Sequence, residues 1–205
     1  MRDKDQIILT DEEPRTMKTS GGGFEQCCNG QLAVEVESLL IVATNAVHAV
    51  NDKQQVAPML RALEPVAEIL GKPKALVADT GFCSEANAGL CTACEITPCI
   101  SVQLEAHHRD PDPIARYTQP PPLKDDATPL EVMCHTLQTM AWRALYGLRK
   151  CTVEPVIGII KLVMGFRHFS LRGLASVSVE LSLVTLAWNL KRMFVLKKHL
   201  KAANA

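Results

Sequence analysis

Residues Ala75 to Ala78 form a short apolar run with a helical stripe before it and Asp79, Thr80 and Gly81 after it. Such a run, entered from a helix and left through a glycine turn, reads as a buried strand of a parallel sheet. Parallel strands need crossover connections, so this one stretch points the chain to an α/β architecture. Before it, Val56, Met59, Leu60, Leu63, Val66, Ala67 and Leu70 fall on one helical face, with Asn51 placed to cap the helix and Gly71 to end it. Pro58 and Pro65 are expected to kink or interrupt that helix. After it, Ser84 opens a helix to about Cys94, and Pro98 to Val102 offers a further strand.

Upstream, Leu32, Val34 and Val36 alternate with polar positions and Leu39 to Val42 runs apolar, with Glu37 and Ser38 where a turn is needed. This predicts an antiparallel hairpin. Residues 1–23 are mostly polar apart from Ile7 to Leu9 and read as a lead-in segment. The stretch Glu105 to Pro129 is rich in proline and carries His107 and His108, which predicts an extended loop. From Leu130 onward the chain reads as helices. The expected organisation is a main domain over 24–165 with its loop at 105–129, followed by basic helices of the same domain over 166–205.

The formal net charge is zero, yet its distribution is lopsided. From Arg143 onward 11 Lys and Arg face only Glu154 and Glu180, a balance of +9, and the first 142 residues carry −9. A basic end of this kind suits a polyanionic partner, although solvated helix faces are also commonly charged. Eight cysteines come without a signal-peptide pattern and read as reduced thiols of a cytoplasmic protein. The run Leu181 to Leu190 is too short to span a bilayer and is closed by Glu180 and Lys191, so no membrane partner is expected.

The stretch Cys151 to Lys161 places one acid and one base on an apolar helix. Pro155 suits the first helical turn, where its missing N–H is not needed, so Glu154 stands at a helix start. Lys161 follows two turns later on the same face, and Tyr146, Arg149 and Lys150 lie just upstream. An acid so placed can ligate a divalent cation while the cationic neighbours hold phosphate. A surface ion pair is the plain alternative.

The run ALYGLRKCTVEPVIGIIKLVMGFRHFSLRGL, followed by SLVTLAWNLKRMFVL, resembles the C-terminal part of bacterial insertion-sequence transposases of the DDE type. The resemblance continues upstream through GGGFEQCCNGQLAVEVESLLIVAT, NDKQQVAPML and ALVADTGFCSEAN, so several motifs match in order over nearly the whole chain. It implies a ribonuclease-H-like mixed sheet, here truncated at its N-terminus, with a helical C-terminal region. It further implies that Asp79 is the second catalytic acid and Glu154 the third, together holding Mg2+ or Mn2+ for phosphodiester cleavage and strand transfer. The expected partner is DNA, as transposon ends and target. Lys161 is the foremost expected phosphate contact, with Arg149, Lys150, Tyr146 and Arg167 beside it, and Arg172, Lys191 and Arg192 further candidates.

The family's first aspartate lies on a central strand upstream of the stretch where this sequence begins its match. The expectation is therefore a copy lacking that acid, inactive alone and with unpaired strand edges that favour self-association or association with a full-length transposase. The segment His135 to Trp142 also departs from the Thr-Pro-Glu-Gly type of sequence found there in the family, which weakens the expected helix leading to Glu154.

Each residue has a plainer reading. Asp79 can simply cap the turn before Gly81, Asp52 can be a charge at a helix start, and Asp11 matches a family segment downstream of the first acid. Trp188 and Phe194, spaced helically with Leu181 and Val184, read as core. Two other functions stay open: a non-catalytic DNA-binding or regulatory fragment, and a zinc-stabilised module built on Cys83, Cys91, Cys94, Cys99 and the His107–His108 pair. Against zinc, the two-pair spacing of a ribbon is absent.

Overall fold

The computed structural model describes residues 15–18, 24–49, 51–102, 120 and 122–203. Asp11, the Ile7 to Leu9 patch, the glycines at 21–23, the His107–His108 pair and most of the proline-rich stretch lie outside the described residues. The chain divides into two compact units, one of residues 51–155 and one of residues 1–50 with 156–205.

In the unit of residues 51–155, α1 (Val56–Leu70) leads to β5 (Ala75–Ala78), α2 (Glu85–Ala93) and β6 (Thr97–Ile100), then to α3 (Pro129–Gln138) and α4 (Met140–Gly147). β5 and β6 pair in parallel, with Ala75 opposite Thr97 and Ala78 opposite Ile100, as the apolar run at 75–78 foretells. The crossover between them is α2, capped by Ser84 Oγ accepting from the Asn87 N–H at 3.1 Å. One cluster joins Val56, Leu60, Cys91 and Ile96, and another joins Ala88, Ile100 and Met133. Burying that layer is what holds α1, α2 and α3 to the strand pair.

Several expectations need correction here. Asn51 does not cap α1, which starts at Val56 after a turn in which the Asp52 carbonyl accepts from Gln55 N–H at 2.9 Å. The two prolines leave α1 continuous. Pro58 sits in the first turn, where no donor is required, and Pro65 is exposed, so the carbonyl it leaves unpaired can meet water. The apolar stripe is buried only at its start, through Val56, Met59 and Leu60, while Leu70 is exposed. Gly71 ends α1 as foreseen, with φ 85°. Helices also form across His135 to Trp142, and a full capping box between Thr128 and Glu131 starts α3.

In the unit of residues 1–50 with 156–205, β1 (Arg15–Lys18) pairs antiparallel with β2 (Phe24–Cys27), a ladder that the polar composition did not reveal. β3 (Asn29–Val34) and β4 (Ile41–Val47) form the foreseen hairpin. Its turn is tied by Glu35, whose carboxylate accepts from Glu37 N–H, Ser38 N–H and Ser38 O–H. Among the described residues these strands form separate two-stranded ladders rather than one mixed sheet.

The long helix α6 (Leu174–Ala203) closes the hairpin. Asn189 bonds Ile41 twice, its Oδ1 accepting the backbone N–H and its Nδ2 donating to the carbonyl, both at 2.8 Å. Trp188 Nε1 donates to Leu39 O at 2.9 Å, and Arg192 Nε donates to Ser38 O at 2.6 Å. Trp188 packs with Ile41, Val156 and Ile160, the last two from α5 (Val153–Leu162). Trp188 is thus core as expected, but Phe194 is 68% exposed, because it falls off the row of Leu181, Val184 and Trp188.

Candidate functional site

Asp79 leaves β5 at its C-terminal end in extended conformation and opens the short turn Thr80–Phe82. Its Oδ1 accepts from Gly81 N–H at 2.9 Å, so the plain capping role is real. That bond uses one carboxylate oxygen, and the residue is exposed. The turn brings a second acid to the same place. A Cβ added at Gly81 would stand 3.1 Å from Asp79 Oδ1 and 3.2 Å from Asp52 Oδ2. Both carboxylates therefore face position 81, and only a glycine leaves that space open.

The register between the two acids is set by Asn87. Its buried side-chain amide donates to Lys53 O at 2.8 Å and to Phe82 O at 2.7 Å. Both amide hydrogens are consumed, one on the loop of Asp52 and one on the turn of Asp79. Sequence reasoning treated Asp52 as a helix-start charge and did not single out Asn87. Both stand in motifs it had marked, NDKQQVAPML and ADTGFCSEAN, and only the folded turn shows why they belong together.

Glu154 lies in the first turn of α5, as Pro155 requires. Arg149 Nη2 is 3.3 Å from its Oε1, and the same guanidinium lies 5.6 Å from the centroid of the Tyr146 ring. Tyr146, Arg149 and Glu154 thus form one group, with Arg149 largely covered and its Nε buried without a hydrogen-bond partner. Lys150, Lys161, Arg167, Arg172 and Lys191 are exposed. Arg192 donates through Nε to Ser38 O, which anchors its guanidinium at the hairpin turn.

Most of the described cysteines are buried or half-buried, and Cys151 is exposed. Cys91 and Cys99 are fully buried, and burial pushes each thiol up to about 11, with Cys94 nearby adding to the rise at Cys91. Among the described residues no three His, Cys, Asp or Glu side chains gather as a metal-holding group, and no helix is long and apolar enough to cross a membrane.

Asp79 thus stands at the exit of a parallel strand on a mixed α/β frame, the place where open α/β sheets meet their ligands. Residues 3–190 match the family model of the transposase DDE domain, and the chain belongs to that family. No curated protein and no solved structure matches it.

The family implies divalent cations, and the donors present fit one. Magnesium takes one or two carboxylates from a protein and completes its shell with water and substrate phosphate. Asp52 and Asp79 supply hard oxygen donors to a space that a Cβ would fill. The thiols raised by burial suit no hard cation.

Proposed function

We propose that this chain acts on DNA as the catalytic part of an insertion-sequence transposase, on a ribonuclease-H-like frame, with Asp79 and Glu154 as two of its acids. The observation that supports this most is the meeting of Asp79 and Asp52 at Gly81, within the ADTGF motif of a chain matched to the family over residues 3–190. Asp79 and Asp52 offer the cation its first carboxylates, and Glu154 is the family's further acid, which among the described residues does not gather with them into one metal-holding group. The chemistry a Mg2+ or Mn2+ ion supplies there is activation of the attacking water or 3′-hydroxyl and stabilisation of the leaving oxygen.

The chain's own residues do the rest. Asp79 is held toward position 81 by the bond its Oδ1 accepts from Gly81 N–H. Tyr146 and Glu154 hold Arg149, so its charge is positioned in advance for a DNA phosphate, where preorganisation matters most. Lys161 and Lys150, exposed, add phosphate contacts, with Arg167 beyond them. DNA, as transposon end and target, is the partner, in a cytoplasmic setting.

The 205-residue polypeptide is expected to bind DNA and Mn2+, which also covers a regulatory role beside a full-length transposase. Calorimetry with MnCl2, and filter binding to duplex DNA at 50 and 200 mM salt, test this. Supporting outcomes are Mn2+ binding lost in Asp79→Asn and DNA affinity that falls with salt. Absence of both overturns the reading.

A further inference from the structure

Cys28 and His48 face each other one step beyond the β3–β4 ladder. The register sets Asn29 opposite Val47, so the next pair outward is Cys28 with His48. Their side chains meet, with Cys28 Sγ 3.6 Å from His48 Nδ1. Cys28 also packs against the cluster of Ala46, Val177 and Leu181, where the hairpin meets the first turns of α6, and the imidazole Nε2 is buried. A thiol in contact with an imidazole nitrogen has a base to take its proton, and the thiolate is the reactive form. Two other thiols stand in contrast. Cys91 and Cys99 are sealed in the interior and pushed up to about 11, so they stay protonated at neutral pH.

We propose that Cys28 is an oxidation site, at which His48 draws off the thiol proton and a small hydroperoxide converts the thiolate to a sulfenic acid. The sulfur attacks one peroxide oxygen, the O–O bond breaks, and the leaving hydroxide takes the proton held by His48. One thiol and one hydrogen peroxide become one sulfenic acid and one water, with sulfur oxidised by two electrons and the peroxide reduced. Half-burial selects the oxidant. A molecule of two oxygens can reach Sγ beside α6, whereas a bulky peptide disulfide would have to part close-packed side chains.

The modification acts on what it adjoins. An oxygen added to Sγ sets a polar group against Ala46, Val177 and Leu181, where its burial is costly. Oxidation therefore loosens the packing of α6 on the hairpin, and reduction by a thiol restores it. The pair lies within the unit of residues 1–50 and 156–205 and does not depend on the DNA chemistry proposed above.

Treatment of the full chain with hydrogen peroxide and dimedone, followed by fragment-ion mass spectrometry that separates Cys27 from Cys28, tests it. The sulfenic acid adduct should form at Cys28 about tenfold faster than at Cys91 or Cys99 at pH 7. His48→Asn keeps a polar side chain at this place but no base. It should slow alkylation of Cys28 by iodoacetamide about tenfold at pH 7 and leave it near the wild-type rate at pH 10, where the thiol ionises unaided. A merely structural effect would change the two rates alike. Should His48→Asn not fold, the wild-type profile decides: alkylation of Cys28 that rises only through about 8.5, as for an unassisted thiol, would overturn the proposal. Cys28 no faster than the buried thiols, or a His48→Asn profile that overlays the wild type or shifts equally at both pH values, would overturn it as well.

Discussion

The carboxylates of Asp52 and Asp79 converge on Gly81, with Oδ2 of the first and Oδ1 of the second each within 3.2 Å of where a side chain at that position would begin. The two acids are far apart in sequence, and Asn87 joins their loops through Lys53 O and Phe82 O. Capping and cation binding at Asp79 can therefore be separated. Asn at position 79 keeps an oxygen for Gly81 N–H but loses the charge, whereas Ala loses both. Asp79→Asn should leave thermal stability within about 0.5 kcal/mol and abolish Mn2+ binding, while Asp79→Ala should also cost about 1 kcal/mol. Equal Mn2+ affinity in Asp79→Asn and wild type would show that the turn is structural only.

Gly81→Ala tests the space itself. Its new Cβ would press on both carboxylate oxygens, closer than nine in ten real Cβ contacts. The expected outcome is a loss of Mn2+ affinity on the order of tenfold, the scale seen when the support of a metal ligand is disturbed. Calorimetry on a variant with an unchanged melting curve decides it.

Asn87 should matter for stability and for the site together. Removing its amide leaves two carbonyls without their donor, and Asn87→Ala should cost about 1–3 kcal/mol in urea denaturation. Asn87→Asp keeps the shape but offers acceptors to two carbonyls, and should be worse than Ala. A variant in which Asp replaces Asn87 without cost would mean that the loop of Asp52 is held by other contacts.

Much of this was readable in the chain before folding. The strand at 75–78, the crossover helix after Ser84, the 32–42 hairpin and the Pro155 helix start all follow from local patterns of period, cap and turn. What local pattern cannot carry is a bond between distant loops. Asp52 looked like a helix charge because nothing nearby in sequence announces Gly81, and Arg192 gave no sign of its bond to the Ser38 carbonyl because that partner lies 154 positions away. Phe194 shows a different limit. A single helical row was assumed for α6, and the helix carries two.

The join between hairpin and α6 rests on Asn189 and Trp188. Asn189→Ala would strip Ile41 of both backbone partners at once, while Asn189→Asp would keep only the bond from Ile41 N–H and set a charge against the Ile41 carbonyl. Asn189→Ala should cost about 1–3 kcal/mol, and Trp188→Ala about 3–5 kcal/mol because it also opens a cavity between Ile41, Val156 and Ile160. Urea denaturation followed by far-ultraviolet dichroism measures both. A Trp188→Ala cost below about 1 kcal/mol would mean that the cluster collapses around the gap.

Acid should loosen this same unit. At Glu35 burial raises the carboxyl, but bonds from the Ser38 hydroxyl and from backbone N–H groups outweigh it and hold it below the ordinary value. At Glu180 burial again raises it, and the Leu171 and Ser170 N–H bonds win. A carboxyl whose folded value is depressed contributes stability above its unfolded value, near 4.3, and loses it as pH falls through the folded value. The melting temperature should therefore fall as pH drops from about 5 toward 3. Glu35→Gln should lower stability at pH 7 and flatten the fall, because glutamine has no charge to lose. A variant whose acid profile overlays the wild type would place the titrating groups elsewhere than the hairpin turn.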